Sequence, residues 1–166
     1  MRDLDLTAGP STSVNRRQMV AAIVIVSTVA LPTGVFSQTR QIWSVNQAQQ
    51  ALVADQIRLV DVRSRGEWRE TGVAQGAWPI SLHEAGFQKR LFAARKLAKG
   101  RTIALICATG GRSGSVYRAL RKANYDGFVD VSEGMLGSNL GPGWIATGLP
   151  VVSLDQALKA LPDDLA

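Results

Sequence analysis

From residue 38 onward, short apolar runs alternate with segments whose apolar residues recur at helical spacing. Three apolar runs predict strands, at residues 57–62, 102–106 and 128–131. The second run, Thr102-Ile103-Ala104-Leu105-Ile106, is almost continuously apolar, which is typical of a strand buried on both faces of a parallel sheet. Strands of this kind, separated by helices, require crossover connections.

Helical spacing predicts three helices between and beside these strands, at residues 46–54, 84–97 and 113–123. Asn46 is the expected cap of the first helix, and residues 154–166 predict one further short helix. Strands and helices in alternation predict an α/β fold with a parallel sheet of about five strands and helices on both faces.

A short loop contains the candidate catalytic residues, because it follows a buried strand and precedes a helix. Its sequence is Cys107-Ala108-Thr109-Gly110-Gly111-Arg112-Ser113. In open parallel sheets, ligands bind beyond the carboxyl ends of the strands, which is where this loop begins. The two glycines let backbone N–H groups turn inward as an anion-binding nest, and the helix N-terminus and Arg112 add positive charge. These surroundings favour a thiolate nucleophile, whereas a cysteine without them is more often a small buried apolar residue.

Residues 1–37 differ from the remainder of the chain. Arg16 and Arg17 precede an uncharged apolar run at residues 20–31, which Pro32 and Gly34 end. This run is shorter than the roughly 20 residues that a membrane-spanning helix needs, so it predicts a signal peptide with periplasmic export of residues 38–166. The arginine pair resembles a twin-arginine signal, with the general secretory route as one alternative and an uncleaved inner-membrane anchor as another.

Composition excludes several classes of site. One cysteine excludes an intramolecular disulfide and any zinc site built on cysteine pairs, and His83 is the only histidine, so there is no imidazole cluster. His83 is expected in a surface loop before a helix. The formal net charge is +6, but the basic residues are spread along the chain without interleaved aromatic residues. Nucleic acid is therefore not an expected partner.

Between about Trp43 and Val152, several motifs resemble those of the rhodanese family and occur in the same order along the chain. They are Leu59-Val60-Asp61-Val62-Arg63, Glu67-Trp68, Gly72-Val73-Ala74-Gln75-Gly76-Ala77, the loop from Cys107 to Ser113, Glu133-Gly134-Met135, Trp144, and Gly148-Leu149-Pro150-Val151. Cysteine-dependent phosphatases place five residues between the nucleophile and the arginine. Four residues separate Cys107 from Arg112 here, which resembles the smaller ring that suits a single sulfur atom.

The resemblance implies a role for each loop residue. Cys107 would attack the outer sulfur of a small anionic donor such as thiosulfate and hold it as a persulfide, and a thiol or cyanide would then accept it. The backbone of Ala108, Thr109, Gly110, Gly111 and Arg112 would cradle the sulfur, and Arg112 and Ser113 would orient the anionic substrate. Asp61 and Arg63 match a motif expected to brace the site, and no metal or organic cofactor is implied.

Two departures from the family pattern keep other functions open. Ala108 and Thr109 are neutral where some thiosulfate-using relatives carry charge, and residues 136–143 form an insertion, either a flap, a partner-contact loop or a surface turn. The alternatives to a small-molecule sulfurtransferase are a persulfide carrier for one periplasmic protein partner and a non-catalytic docking module. Membrane contact is expected only if the N-terminal segment is uncleaved.

Overall fold

The computed structural model describes residues 42–166, so the predicted signal peptide or anchor lies outside the described residues. The strands are β1 (Ile42–Trp43), β2 (Ile57–Asp61), β3 (Val73–Ala74), β4 (Trp78–Pro79), β5 (Thr102–Ile106), β6 (Phe128–Val131) and β7 (Val151–Val152). The α-helices are α1 (Val45–Val53), α2 (Arg65–Thr71), α3 (Phe87–Leu97), α4 (Gly111–Lys122), α5 (Gly143–Ala146) and α6 (Leu154–Lys159). A 3₁₀ turn over Asp163–Leu165 follows.

Five of these strands form one parallel sheet in the order β1-β6-β5-β2-β4. Strand β5 lies at its centre, because apolar residues along its whole length can be buried on both faces only there. The predicted α/β fold with a five-stranded parallel sheet is confirmed. Strands β3 and β7 pair antiparallel in a small separate sheet, which the sequence pattern did not predict.

Successive residues of β5 belong to two different apolar cores, since side chains alternate between the faces of a strand. Ala104 and Ile106 pack on the face covered by α1, Trp68 and Trp144. Ile103 and Leu105 pack on the opposite face, together with residues of α3 and α4. Helices therefore cover both faces, as predicted. Among residues 42–166, no helix combines the length and hydrophobicity needed to cross a bilayer.

The predicted helix boundaries were wrong at their N-terminal ends. Helix α1 begins at Val45, because Ser44, and not Asn46, caps it: its hydroxyl accepts from the backbone N–H of Gln47, and the Gln47 side chain accepts from the backbone N–H of Ser44. Helix α3 begins at Phe87, three residues later than predicted, after Gly86 at φ 81°. Helix α4 begins at Gly111, two residues earlier than predicted.

The insertion at residues 136–143 forms a tight turn. The backbones of Ser138 and Gly141 exchange hydrogen bonds of 2.9 and 3.2 Å, and the Ser138 hydroxyl donates to the Ser132 carbonyl at 3.1 Å. Leu136 and Leu140 project from this turn with 52% and 58% of their surface exposed. Of the three expectations for the insertion, a surface turn describes its backbone, and its two leucines give it an apolar outer surface.

Candidate active site around Cys107

Cys107 lies at the carboxyl end of β5 and is 1% exposed. Its side chain belongs to the apolar core on the α3 and α4 face of the sheet. The hydroxyl of Ser113, which is fully buried, has two acceptors within hydrogen-bond distance of its single proton, Cys107 Sγ at 3.4 Å and the Gly110 carbonyl at 3.3 Å. Because Ser113 lies in the first turn of α4, the sulfur lies near a helix N-terminus, where negative charge is stabilised.

The segment after β6 holds the Cys107 loop (residues 107–113) in place. Met135 N–H donates to the Cys107 carbonyl and Leu136 N–H to the Ala108 carbonyl, both at 2.8 Å. Gly110 caps α4 with φ 81° and lies directly against the Ser132 carbonyl, so that an added Cβ would overlap this oxygen. Glycine is required at this position both by the left-handed backbone and by the close approach.

Arg112 forms an ion pair with Glu67 of α2, a contact that the sequence did not predict. Arg112 Nη1 donates to Glu67 Oε2 at 2.8 Å, and Nη2 contacts Oε1, so the pair is bidentate. Glu67 also accepts hydrogen bonds from the backbone N–H and hydroxyl of Ser64, at 2.9 and 2.8 Å. The Ser64-x-x-Glu67 capping box was the available sequence signal, but it predicts only the start of α2 and not the tertiary partner.

His83 adds a third group to this cluster. Its Nε2 lies 3.3 Å from Arg112 Nη1, although its side chain is exposed in a loop, as expected. Nothing in the sequence placed His83 close to the Cys107 loop, because 29 residues separate it from Arg112. The guanidinium of Arg112 therefore contacts both Glu67 and His83 at the edge of the loop.

The ion pair fixes the charge of both partners at neutral pH. The hydrogen bond from Arg112, with those from Ser64, lowers the pKa of Glu67 to about 2, although burial opposes this shift. The same hydrogen bond raises the pKa of Arg112. Glu67 is therefore anionic and Arg112 cationic at neutral pH.

We expect Glu67→Gln to lower the free energy of unfolding by about 2 kcal/mol at pH 7, allowing for the partial exposure of the pair. Because the folded-state pKa lies near 2 and the ordinary value is 4.5, this contribution is present above about pH 5 and lost as the pH falls toward 2. Urea unfolding of both proteins between pH 7 and pH 3 measures the difference. Glu70→Gln, an exposed position on the same helix, controls for the change in net charge. A difference that stays constant down to pH 3 contradicts the prediction.

Asp61 and Arg63, the predicted supporting residues, form a fully buried ion pair with Arg63 Nη2 and Asp61 Oδ2 2.7 Å apart. Arg63 Nη1 donates to the Thr71 hydroxyl and Nη2 to the Gly72 carbonyl, each at 2.7 Å. The pair thereby joins the end of β2 to the end of α2, the helix that carries Glu67. This arrangement corresponds to bracing rather than to direct contact with a substrate.

The predicted site residues of the Cys107 loop differ in their exposure to solvent. Ala108, Gly110 and Ser113 are buried, whereas Thr109 and Gly111 are exposed and Arg112 is partly exposed. The outer surface of the loop is therefore formed by Thr109, Gly111 and Arg112.

A family model of the rhodanese-like domain matches residues 44–138. Among solved structures, the chain is similar to the protein SSP1007 of Staphylococcus saprophyticus, with 25% identity, 57% of this chain and 89% of that chain covered, and a TM-score of 0.46. It is also similar to the human single-domain sulfurtransferase TSTD1, with 22% identity, coverage of 57% and 90%, and a TM-score of 0.44. A structure of EanB T414V in complex with hercynine matches with 14% identity, coverage of 72% and 29%, and a TM-score of 0.51.

A comparison with curated protein sequences gives no match. The matched family region spans more than half of the chain and contains β2, β5, α4, the Cys107 loop and the Glu67–Arg112 pair. The chain belongs to the rhodanese-like domain family.

Proposed function

We propose that this protein is an exported sulfurtransferase that moves a sulfane sulfur from a small anionic donor, such as thiosulfate, to a thiophilic acceptor through a persulfide on Cys107. The main support for the proposal is the position of Cys107 Sγ, 3.4 Å from the buried Ser113 hydroxyl at the first turn of α4. A donated hydrogen bond and a helix N-terminus both stabilise the thiolate, which is the nucleophilic form.

The reaction has two steps. The Cys107 thiolate attacks the outer sulfur of the donor, the donor S–S bond breaks, and its electron pair leaves with sulfite when the donor is thiosulfate. The acceptor, cyanide or a thiolate, then attacks the outer sulfur of the persulfide and regenerates the Cys107 thiolate. Atoms and charges balance in each step, without a metal or a redox cofactor, and the two steps give ping-pong kinetics.

Intact mass spectrometry of the purified protein tests the proposal. After incubation with thiosulfate or with methanethiosulfonate, we expect a gain of one sulfur atom, which cyanide removes as thiocyanate. Cys107 is the only cysteine, so the site of the gain is unambiguous, and Cys107→Ser should show none. Absence of the gain with both donors, in a protein whose thiol still reacts with a small alkylating reagent, rejects the sulfurtransferase proposal.

A persulfide carrier dedicated to one periplasmic protein is the second candidate. It is favoured by the exposure of Leu136 and Leu140, because Leu136 N–H bonds directly to Ala108 of the Cys107 loop. A carrier would load sulfur but transfer it to cyanide or small thiols far more slowly than to its partner. A non-catalytic docking module would not load sulfur at all.

A further inference from the structure

A groove of about 320 Å³ lies between α3 and α4, on the face of the sheet opposite to α1. Its lining is apolar except for Gln88 and Tyr125. Leu82 and Val116 belong to this lining, and so does Phe92, whose ring packs against that of Tyr125 with the centroids 4.7 Å apart. We refer to it as the α3–α4 groove, and within residues 42–166 it is open to solvent.

One end of the α3–α4 groove lies next to the candidate active site. Leu82 is followed in the chain by His83, whose Nε2 lies 3.3 Å from Arg112 Nη1. Arg112 and Val116 are one helical turn apart and therefore lie on the same side of α4. A segment bound in the groove would consequently lie beside the Arg112 end of the Cys107 loop.

The two helices that form the groove contain basic residues and no acidic residue. Three of the basic residues, Arg90, Arg112 and Arg121, form ion pairs with carboxylates outside the two helices. The other five form no ion pair with a carboxylate within residues 42–166; they are Lys89, Arg95 and Lys96 in α3, and Arg118 and Lys122 in α4. An excess of positive charge therefore surrounds the groove.

The neighbouring acidic residues do not compensate this excess. Glu84, which precedes α3, is one carboxylate bound by both Arg65 and Arg90. The acidic 3₁₀ turn over Asp163–Leu165 packs on α3 through Arg90, whose Nε donates to the Leu165 carbonyl at 2.9 Å, and Arg90 does not line the groove. Positive charge beside an apolar groove favours a partner that is both apolar and acidic.

The shape of the groove favours a protein segment over a bilayer or a nucleic acid. The large apolar residues that line it are recessed, apart from Tyr125, which is 46% exposed, so they cannot insert into a bilayer. The ring of Tyr125 packs against Phe92 and is less available for stacking on a nucleobase. A groove between two helices is instead suited to the apolar side chains of an amphipathic helix at positions i, i+3, i+4 and i+7.

We propose that the α3–α4 groove is a docking site for an acidic amphipathic segment of a partner protein. The apolar side chains of that segment enter the groove, and its carboxylates meet the unpaired cations of α3 and α4. Lys89 follows Gln88 and Lys122 precedes Ala123, so a cation adjoins the lining on each helix. The inference goes beyond the proposed sulfur transfer and does not depend on it.

Synthetic peptides test the charge and the pattern of the partner. The probe is a labelled peptide with leucine at positions i, i+3, i+4 and i+7 and glutamate and alanine between them. One control has lysine in place of glutamate, and another has the same composition with the leucines dispersed. By fluorescence anisotropy with the full chain at low salt, we expect the acidic amphipathic peptide to bind about tenfold or more tightly than either control. Added salt should reduce its advantage over the lysine peptide.

Filling the groove tests the place of binding. Ala119 is exposed and lines the groove, so Ala119→Trp occupies it without disturbing the core. Ala54→Trp is the matched control, because Ala54 is also exposed but follows α1 on the opposite face of the sheet. We expect binding of the acidic peptide to weaken by about tenfold in Ala119→Trp and to be unchanged in Ala54→Trp.

A second matched pair changes charge with almost no change of shape. Gln88→Glu places a carboxylate in the groove, whereas Gln50→Glu places one on the exposed side of α1. Gln88→Glu should weaken binding of the acidic peptide by about twofold to fivefold, the size of an exposed charge interaction, and strengthen binding of the lysine peptide. Gln50→Glu should have little effect on either. Thermal unfolding establishes that the variants are folded.

The outcomes separate this inference from its alternatives. Tighter binding of the acidic peptide that is weakened at positions 119 and 88, but not at 54 and 50, supports it. Equal binding of the three peptides, or equal effects at positions 119 and 54, overturns it. It is also overturned if Ala119→Trp instead abolishes binding to phosphatidylglycerol vesicles or dissociates a dimer of the chain in sedimentation. None of these measurements involves sulfur loading, so the proposed function and the docking site can fail independently.

Discussion

Replacing Arg63 with methionine is expected to lower the free energy of unfolding by about 3–5 kcal/mol, the usual effect of breaking a buried ion pair. Both partners are fully buried, so the Asp61 carboxylate would lose its counter-charge without gaining water. The hydrogen bonds of Arg63 to Thr71 and Gly72 would be lost as well. Since domains of this size are typically stable by only about 5–15 kcal/mol, the variant should be close to its unfolding threshold.

Chemical denaturation of Arg63→Met and Arg58→Met, with matched buffers, measures this effect. Arg58 lies on β2, the strand that ends at Asp61, and its ion pair with Asp55 is partly exposed, so the same substitution there should cost less than about 1 kcal/mol. The double variant Asp61→Leu/Arg63→Met should recover part of the loss, because neither charge remains buried alone. Equal losses at positions 63 and 58 would contradict a structural role for the buried pair.

Replacing Gly110 with alanine is expected to destabilise the chain by about 2–5 kcal/mol and to abolish sulfur loading. The left-handed backbone conformation accounts for about 1–2 kcal/mol, and overlap of the new Cβ with the Ser132 carbonyl accounts for about 1–3 kcal/mol. Relief of this overlap requires the Cys107 loop and the segment after β6 to separate. Because the loop and the start of α4 move together, Ser113 would no longer be held within hydrogen-bond distance of Cys107 Sγ.

Gly86→Ala provides an unusually close control for Gly110→Ala. Both glycines cap a helix at φ 81°, but an added Cβ at position 86 meets no atom within 4 Å. The control therefore measures the backbone strain alone. Thermal unfolding and the mass measurement should show a small loss of stability and normal sulfur loading for Gly86→Ala. If both alanine variants lose the same stability, then contact with Ser132 does not explain the requirement for glycine at position 110.

The parts of the fold that the sequence predicted are those with a strong local signal. Strand β5 could be predicted because its five residues are almost all apolar, and the position of Cys107 after it followed from the direction of the strand. Helix starts were less predictable, since capping depends on which of several polar residues takes an extended backbone. Asn46 was predicted as the cap, but serine is an equally common cap residue, and the reciprocal bonds with Gln47 show that Ser44 takes this position.

The candidate site was predictable only as far as the loop itself. Glu67 is 45 residues from Arg112, and hydrophobic periodicity contains no information about which charged side chains meet across elements. The motif with Glu67 and Trp68 supported the family resemblance without assigning a contact. The pairing of Arg112 with Glu67 therefore required the tertiary structure.

The hydrogen bonds from Met135 and Leu136 also determine which side of the Cys107 loop its backbone N–H and carbonyl groups face. In a trans peptide, the carbonyl and the following N–H point in opposite directions. Since the carbonyls of Cys107 and Ala108 face residues 135 and 136, the N–H groups of Ala108 and Thr109 face away from them. That side of the loop consequently offers backbone donors instead of carbonyl lone pairs. This donor character belongs to the main chain, so we expect substitution of the side chains at positions 108 and 109 to leave these backbone donors in place.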